Sequence, residues 1–560
     1  MTNFSSAKKD LLGNINMTRE QRLEHIKSCQ TWDIIIIGGG IVGSGILKRA
    51  SQLGLKVLLV EQKDFAWGSS SRSSKMVHGG LRYIAQGKVR LTRESVQERE
   101  KMLKQAPLLV HKQSFAMSHY ENEFPWPWLF NSLLSIYDAI ADFSVAFKRH
   151  AFFAKADYLL LVPGAKEKAL MGGTQFCDAL TDDARLVQRL IQESLQLGAQ
   201  AINYCQVEKL TERNIAEKEQ TITYVQVKAE EENEPFSLTA KVVISATGAW
   251  TNELLEKLAL AKNMVQPVAP AQFKMRPLRG SHLLIPSWRL PVGTVISILH
   301  PVDKRPVQIY PWQNVTLVGT TDVEHLESLN KEAQISTEEV NYLLQAIESQ
   351  FPQADITYKD ILSSFAGVRP VVASGGYVAP SKEKREHSIT QQAGLITVAG
   401  GKLTTFDIIA KQVLTKACDV LGKAKPRFVS SVFEPCSSSR FNALPKFIQE
   451  QIQGCYGNLH EEFTLQMKAC LLNKISYSKH LWAELVWAAK YEQIQHLDDL
   501  LLRRTRLGNV LPNGAAEHLN DIKNICVKEL GWSEKKWQQE VCRYQTLWLQ
   551  CYSLPKACKL

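Results

Sequence analysis

The sequence has little of what marks a metal protein or a membrane-spanning protein. Its eleven cysteines are scattered and none forms a Cys-x-x-Cys pair, so the sequence predicts neither a zinc site nor a cysteine-ligated iron–sulfur cluster. No apolar run is long enough to cross a bilayer as a helix, and residues 1–30 lack the apolar core of a secretory signal. These absences favour free thiols in a reducing compartment.

The charge balance narrows the classes of partner. The chain of 560 residues has 67 Lys and Arg against 56 Asp and Glu, a net charge of +11, and its pI is near 9.0. This balance favours an anionic substrate or an anionic membrane surface. No nucleic-acid recognition module is present, so we predict no nucleic acid partner. The length predicts about three structural units.

The stretch from Trp32 to Glu61 predicts a dinucleotide site. A β-branched run ends at Ile37 and leads into Gly38, Gly40 and Gly43, which form the G-x-G-x-x-G turn at the start of a helix. The first two glycines allow the backbone to approach a pyrophosphate, and the third allows the helix to pack closely on the sheet. A second strand ends at Glu61, which is placed to accept hydrogen bonds from a ribose. The alternative is an ordinary strand–helix–strand unit whose glycines serve only turns.

Two further stretches surround this unit. The loop from Asp64 to Ile84 is rich in serine and glycine and contains basic residues, so its hydroxyls and amides are suited to a phosphate-bearing cofactor. Its candidate cofactor residues are Ser70, Ser71 and Ser73. The buried strand VVISATGAW ends in Thr247 and Gly248, and the glycine lets the chain pass close to a cofactor.

The motifs of this chain resemble those of the FAD-dependent, aerobic glycerol-3-phosphate dehydrogenases. The resemblance is carried by Ser-Ser-Arg-Ser followed by HGGLRY, by DDAR at 182–185 and by RPLRGSH at 276–282. It continues with GVRP at 367–370, REH at 385–387 and GGKLTT at 400–405. It covers about residues 32 to 550 and leaves the N-terminal extension outside.

The resemblance implies a fold and a reaction. The implied fold class is α/β, with a Rossmann-like FAD-binding domain of the D-amino-acid-oxidase type, an interleaved antiparallel-sheet substrate domain and a C-terminal α-helical domain. The expected bounds are 1–31 for the extension, 32–435 for the first two and 436–560 for the third. The implied reaction oxidises glycerol 3-phosphate to dihydroxyacetone phosphate and passes electrons to membrane quinone. The alternatives are an oxidase that uses oxygen and an inactive flavin-binding sensor.

The resemblance also implies site residues. Arg369 and Arg385 are assigned to the substrate phosphate, because one guanidinium group can donate two parallel hydrogen bonds to phosphate oxygens. Arg82 and Tyr83 are expected to orient the glycerol end. His282 is the first candidate for the general base and Lys402 is its rival. The remaining cofactor residues are Val207, whose backbone is expected at the adenine, and Gly401, Lys402, Leu403 and Thr404.

The segment from Phe124 to Phe153 predicts an amphipathic helix with two tryptophans, Trp126 and Trp128. It either covers the protein's own core or lies in a membrane interface, with tryptophans at headgroup depth. The resemblance favours the second interpretation and implies a cytoplasmic protein bound peripherally to the inner face of the cytoplasmic membrane. A homodimer is possible. In the C-terminal part, Arg503, Arg504 and Arg506 are expected to be ion partners or a solvated face rather than a membrane contact.

Overall fold

The structure is a computed structural model that describes residues 12–81, 84, 87–140, 149–215, 220–260, 274–373, 387–392, 394–436 and 444–558. Three predicted site residues, Arg82, Tyr83 and Arg385, lie outside these ranges. Within the described ranges, no helix is both long and apolar enough to cross a membrane. The eleven cysteines are free thiols.

The strands of the described residues form two sheets. In chain order they are β1 (Trp32–Ile37), β2 (Val57–Val60), β3 (Met76–Val77), β4 (His111–Tyr120), β5 (Ala151–Ala154), β6 (Leu170–Leu180), β7 (Gln200–Ile202), β8 (Cys205–Ile215), β9 (Gln220–Ala229), β10 (Phe236–Ser245), β11 (Met275–Pro286), β12 (Val295–Leu299), β13 (Pro306–Trp312), β14 (Val315–Gly319), β15 (Val323–Glu324), β16 (Ser363–Val372), β17 (Ser388–Gln392) and β18 (Leu395–Ala399).

The helices flank the first sheet and form most of the C-terminal part. The α-helices of the described residues are α1 (Arg19–Ser28), α2 (Ile41–Gln52), α3 (Val89–Gln105), α4 (Pro127–Ile140), α5 (Lys155–Leu161), α6 (Asp183–Gln196), α7 (Thr251–Leu260), α8 (Thr337–Gln350), α9 (Phe406–Val420), α10 (Lys446–Tyr456), α11 (His460–Gln466), α12 (Trp482–Tyr491), α13 (Leu507–Val510), α14 (Leu519–Leu530) and α15 (Glu534–Cys551). A π-helix spans Asp499–Arg504.

The first sheet holds the predicted dinucleotide unit. Its strands run in the order β17-β18-β10-β1-β2-β7, and β1 pairs in parallel with both β10 and β2. The residues Ile34 to Ile37 are buried because helices cover both faces of a central parallel strand. α2 packs against α6 and α9 on one face of the sheet. The carboxyl ends of β1, β2 and β10 therefore meet at one edge.

The second sheet is mostly antiparallel and is interleaved with the first along the chain. Its strands run in the order β15-β11-β14-β13-β12-β4-β6-β3, with β16 beside β11 and β5 beside β6. Five strands align one residue each in a row across the sheet: His282 pairs with Gly319, Gly319 with Gln308, Gln308 with Ser297, and Ser297 with Met117. Paired residues present their side chains on the same face, so this row forms part of one surface.

Buried ion pairs join the C-terminal helices to the first sheet. Arg504 is fully buried and donates to both carboxylate oxygens of Asp64 at 2.6 and 2.7 Å. Arg503 donates to the same carboxylate at 2.5 Å. Arg506 donates to Asp182 at 2.8 Å and to Asp183 at 2.7 Å. The prediction that these arginines are ion partners agrees with these contacts, and the contacts lie in the interior rather than on a solvated face.

Candidate active site

A cavity of about 800 Å³ lies where the edge of the first sheet meets the second sheet. The two glycine-rich turns and the strand ends of the first sheet form one wall. The opposite wall comes from β4, β6, β11, β12, β13 and β16 of the second sheet. Most of the predicted site residues line this cavity: Gly38, Gly40, Glu61, Ser70, Ser73, Val207, Thr247, Gly248, His282, Arg369, Gly401, Lys402, Leu403 and Thr404.

The G-x-G-x-x-G turn has the geometry that a pyrophosphate site needs. Gly38 has φ of +111°, and a Cβ atom there would lie 2.6 Å from the carbonyl oxygen of Ala246. Gly43 does not line the cavity, but a Cβ atom there would lie 1.9 Å from the Gly38 carbonyl oxygen. Gly43 therefore allows α2 to pack against the turn, as predicted. Gly40 is the N-cap of α2, whose first amides face the cavity with the positive end of the helix dipole.

Glu61 stands at the end of β2 with its carboxylate held in place. One oxygen accepts a hydrogen bond from the amide of Gly39 at 2.6 Å, and the other accepts from the amide of Lys63 at 2.8 Å. Burial raises the pKa of this carboxyl. Each oxygen keeps a lone pair that can accept a ribose hydroxyl. Val207, in the adjacent strand β8, lines the same end of the cavity.

The three serines of the loop differ in their roles. The hydroxyl of Ser70 accepts from the amide of Ile41 at 3.0 Å and lies at the start of α2. Ser73 lines the cavity, but its amide and hydroxyl both donate to Asp183, at 3.0 and 2.7 Å. Ser71 is buried and is not among the described lining residues, so its role as a cofactor contact stays a prediction. Lys75 and Arg506 donate hydrogen bonds to its carbonyl oxygen at 2.5 and 3.2 Å.

The second glycine-rich turn lies beside the first on the same wall of the cavity. β18 ends at Ala399. Gly401 follows with φ of +112°, and a Cβ atom there would also crowd Val42 and Ile409 at 3.2 Å each, so the position favours glycine. A 3₁₀ turn from Leu403 to Thr405 then leads directly into α9. Lys402 lines the cavity and its ammonium nitrogen is buried. This turn can present amides and one cation to a bound ring system.

His282 is a buried imidazole at the cavity wall. Its Nε2 atom lies 2.9 Å from the hydroxyl of Ser74, and its ring stacks on Phe365 with centroids 4.7 Å apart. A Cβ atom on Gly319 would lie 2.2 Å from the ring, so the neighbouring glycine makes room for it. Burial, followed by the charges of Lys75 and Arg369, holds the pKa of His282 well below its ordinary value. His282 is therefore neutral at physiological pH.

Arg369 lies on β16, next to the strand that carries His282. Its guanidinium donates to Asp322 at 2.8 Å and to the hydroxyl of Thr320 at 2.9 Å. A Cβ atom on Gly280 would lie 2.2 Å from this guanidinium, so the group crosses directly over Gly280 toward His282, two residues further along β11. Sequence reasoning predicted both residues, but not the two glycines that seat them.

Four cavity residues were missed at the sequence level. Ser74 holds Nε2 of His282, and Asp322 holds Arg369. Arg305 reaches the same Asp322 carboxylate at 3.4 Å, and Lys304 lines the cavity beside it. Asp322 was visible in the motif GTTD, but Lys304 and Arg305 follow β12 in a turn without a distinctive pattern.

The residues at this cavity fit a flavin dinucleotide. A Cβ atom at Gly38 or Gly43 would clash with neighbouring backbone, so the glycines allow the tight turn that points the amides of helix α2 at the phosphate position. The buried Nδ1 atom of His282 has no hydrogen-bond partner among the described residues, which is costly unless a ligand supplies one. Within the described residues, no group of side chains could hold a metal ion.

Comparison with known proteins identifies the family. The model of the FAD dependent oxidoreductases matches residues 33–413. This chain belongs to the FAD-dependent oxidoreductase family. FAD is its cofactor, as the sequence predicted. A second model, described as the C-terminal domain of alpha-glycerophosphate oxidase, matches residues 413–537.

Similar proteins confirm the resemblance and the fold class. The chain is 28% identical over 512 residues to an aerobic glycerol-3-phosphate dehydrogenase of Staphylococcus aureus, covering 86% of this chain and 88% of that protein. It aligns with the crystal structure of the glycerol-3-phosphate dehydrogenase of Bacillus halodurans complexed with FAD, with a TM-score of 0.70 and 21% identity, over 96% and 98% of the two chains. An L-alpha-glycerophosphate oxidase of Mycoplasma pneumoniae aligns with a TM-score of 0.54 and 17% identity, over 72% of this chain and 98% of that one.

Proposed function

We propose that this protein oxidises glycerol 3-phosphate to dihydroxyacetone phosphate and passes the electrons to membrane quinone. The assignment of the substrate rests on one observation: a neutral, buried His282 and a cationic cluster lie at the same end of the cavity. Arg369 and Arg305 form this cluster on the carboxylate of Asp322, and Lys304 lines the cavity next to Arg305. This excess of positive charge suits a phosphate dianion, and the imidazole suits the hydroxyl beside it.

The residues divide the chemistry between them. Bound FAD supplies the acceptor for the hydride that leaves carbon 2 of the substrate. Arg369, held by Asp322, binds the phosphate. For three further residues the proposal rests on the sequence alone: Arg385 is proposed to bind the phosphate, and Arg82 and Tyr83 are proposed to orient the glycerol end. His282 takes the hydroxyl proton on one ring nitrogen while Ser74 fixes the other. Lys402 stabilises developing negative charge on the substrate oxygen or the ring system.

The direct test is anaerobic mixing of the purified protein with glycerol 3-phosphate while the flavin absorbance is followed. The proposal expects bleaching with glycerol 3-phosphate and none with glycerol, because the cationic cluster needs the phosphate. A flavin that stays oxidised would contradict the assignment of the substrate, and the protein would then be tested with amino acids and other hydroxy acids; failure to turn over any of them would favour an inactive flavin-binding sensor.

The acceptor is tested by reoxidation of the bleached protein. We expect a quinone analogue to restore the flavin absorbance faster than dissolved oxygen. The match of residues 413–537 to a domain named for an oxidase keeps oxygen as the second candidate. Steady peroxide release at a rate equal to substrate oxidation would select the oxidase.

Replacement of Arg369 by lysine should raise KM for glycerol 3-phosphate about 10- to 100-fold, because lysine keeps the charge but loses the paired contact with phosphate oxygens. Flavin binding should not change, since Arg369 belongs to the substrate end of the cavity. Steady-state kinetics with a quinone analogue give the KM. The matched control is Arg276→Lys, because Arg276 pairs with Glu324 at the start of β11 and is not among the described residues that line the cavity. An equal effect of both substitutions would contradict the role of Arg369.

A surface of exposed aromatic residues supports the proposed membrane contact. Phe124, Trp126 and Trp128 are 61%, 49% and 65% exposed, and the two indole rings stack with centroids 6.2 Å apart. Phe130, Leu134 and Tyr137 on the other side of α4 are buried, so this helix both covers the core and presents apolar rings outward. We propose that these rings lie at the headgroups of the inner face of the cytoplasmic membrane.

The double substitution Trp126→Ser and Trp128→Ser should lower the fraction of protein that sediments with anionic phospholipid vesicles by about tenfold. Each indole ring that moves from water into the membrane interface contributes a few kcal/mol to binding. Flavin reduction by glycerol 3-phosphate in solution should be unchanged. Trp288→Ser is the matched control, because Trp288 is 62% exposed on a different part of the fold. Undiminished sedimentation of the double variant would contradict this surface as the membrane contact.

The domain bounds and a homodimer stay predictions.

A further inference from the structure

Arg369, the residue assigned to the substrate phosphate, is held by three consecutive residues of one loop. Its guanidinium donates to the hydroxyl of Thr320 at 2.9 Å and to the carboxylate of Asp322 at 2.8 Å. Both terminal nitrogens also donate to the carbonyl oxygen of Thr321, each at 3.3 Å. This loop follows β14 directly, and Thr320 and Asp322 line the cavity. The place of the guanidinium therefore depends on what holds the loop.

The side chain of Thr321 is buried behind the second sheet. Its hydroxyl donates to Glu339 of α8 at 2.6 Å and accepts from the amide of Ser281 on β11 at 2.8 Å. Neighbouring residues of a strand face opposite sides, and His282 faces the cavity, so Ser281 faces away from it. Helix α8 packs on β11, β13 and β14 at this rear face. The loop that holds the phosphate-binding arginine is thus fastened from behind.

Glu339 is buried and has four donors around its carboxylate. One oxygen accepts from the hydroxyls of Thr321 and Ser281, at 2.6 and 2.8 Å. The other accepts from the amide of Ser336 at 3.0 Å and lies 2.8 Å from Nη2 of Arg279. A carboxylate offers about four lone-pair positions and no donor, so every partner here meets an acceptor. A side-chain amide in its place would turn its own donor toward one of these donors.

We propose that Glu339 is a positioning residue for the phosphate-binding arginine and acts through Thr321. The inference rests on the proposed function, which assigns the substrate phosphate to Arg369. Glu339 holds Thr321, and the loop around Thr321 holds the guanidinium in the one orientation that allows two parallel bonds to phosphate oxygens. The hydrogen bond and the ring stacking of His282 involve other residues. Loss of this support should therefore weaken phosphate binding more than it slows the chemical step.

The test uses Thr321→Val in the complete, FAD-containing protein, because valine removes the hydroxyl and keeps the branched shape. Ser281→Ala is the matched control: it removes one hydroxyl from the same oxygen of Glu339 but leaves the loop attached. Thr321→Ser restores a hydroxyl and is the rescue variant, and Glu339→Gln tests the carboxylate itself. Stopped-flow absorbance at varied glycerol 3-phosphate separates the half-saturating concentration from the limiting rate of flavin reduction. Titration calorimetry with inorganic phosphate gives its dissociation constant for the oxidised protein.

We expect Thr321→Val and Glu339→Gln to raise the half-saturating concentration of glycerol 3-phosphate and the dissociation constant of inorganic phosphate about 5- to 20-fold. The limiting rate of reduction should change less than about threefold, because the base is not displaced. Ser281→Ala should change none of these values, and Thr321→Ser should stay within about twofold of the wild-type protein. In the Arg369→Lys background, Thr321→Val should add less than about twofold, since its effect passes through the guanidinium that is already gone.

Wild-type phosphate binding by Thr321→Val, or an equal effect of Ser281→Ala, would overturn the inference. A full further effect of Thr321→Val on top of Arg369→Lys would also overturn it, because a purely structural role multiplies with the loss of the guanidinium. If Glu339→Gln does not fold, the same outcomes for Thr321→Val decide. A wild-type protein that glycerol 3-phosphate fails to bleach would instead refute the proposed function, and the phosphate dissociation constants of the oxidised variants would still decide whether Glu339 positions Arg369.

Discussion

Replacement of His282 by glutamine is expected to slow anaerobic flavin reduction by glycerol 3-phosphate by about 10²- to 10⁴-fold, which is the usual contribution of a general base. Glutamine keeps a polar group near the ring position and can still bond Ser74, but it cannot take a proton. Because the hydrogen bond to Ser74 and the stacking on Phe365 lie at the substrate end, FAD content should stay at the wild-type level. Stopped-flow absorbance measures the rate of reduction at saturating substrate.

The pH dependence gives a second check on His282. Its pKa in the free protein is well below the ordinary value of 6.5 because of burial and of the charges of Lys75 and Arg369. In the free protein the imidazole of His282 therefore stays neutral as the pH falls through 6.5. Protonation of His282 should then cause no decline of kcat/KM near pH 6.5. A bound phosphate dianion offsets those positive charges and raises the pKa in the complex. The limiting rate of reduction should therefore fall at a higher pH than kcat/KM.

Lys402 provides the contrast for this prediction. If Lys402→Met abolishes reduction while His282→Gln costs less than about tenfold, the proton goes to Lys402 and the role of His282 is wrong. Ser74→Ala should have an intermediate effect, because it removes the hydroxyl that orients the ring without removing the ring itself. Rescue by Ser74→Thr, which restores a hydroxyl, would separate orientation from simple loss of packing.

The first sheet followed from local pattern, whereas the substrate end did not. Gly38, Gly40, Gly43 and Glu61 act within a span of 24 residues, and strand, turn and helix geometry fix their relative places. The contact between Arg369 and Asp322 depends on the pairing of β16 with β11 and on a glycine at position 280 that leaves room for a guanidinium. Spacing along the chain carries no signal for such pairing across strands.

The C-terminal part shows the same limit. By local pattern the run LDDLLLRRTRLG favours a helix over 498–507 that stops at Gly508, but the structure has a π-helix over Asp499–Arg504 and places Gly508 inside α13. The boundary was wrong because Arg503 and Arg504 turn toward Asp64, which lies more than 400 residues earlier in the chain. A tertiary ion pair thus overrides the local helical preference.

The same ion pairs give the largest expected effect on stability. Arg504→Met should lower the free energy of unfolding by about 3–5 kcal/mol, because it removes one partner of a buried pair and leaves a carboxylate with too few cations. Burial by itself would raise the pKa of Asp64, but Arg504 and Arg503 bring it below its ordinary value. Asp64 is therefore charged in the folded protein at neutral pH. The urea midpoint of the FAD-containing protein, followed by flavin fluorescence and by circular dichroism, measures the loss.

Arg90→Met is the matched control, because Arg90 is 93% exposed in its side chain and pairs with Glu94 one turn away. An exposed pair of this kind contributes about 0–0.5 kcal/mol.

Asp64→Asn combined with Arg504→Met should cost less than the sum of the two single substitutions, since the second change then removes a charge that has already lost its partner. Equal midpoints for Arg504→Met and Arg90→Met would mean that the buried pairs do not hold the C-terminal helices against the flavin domain. Arg506 donates to Asp183, which in turn accepts a hydrogen bond from the amide of Ser73 in the cofactor loop. If the buried pairs of the C-terminal helices loosen, we expect the cofactor loop to become less ordered. Weaker FAD retention in Arg504→Met than in Arg90→Met is therefore part of the same expectation.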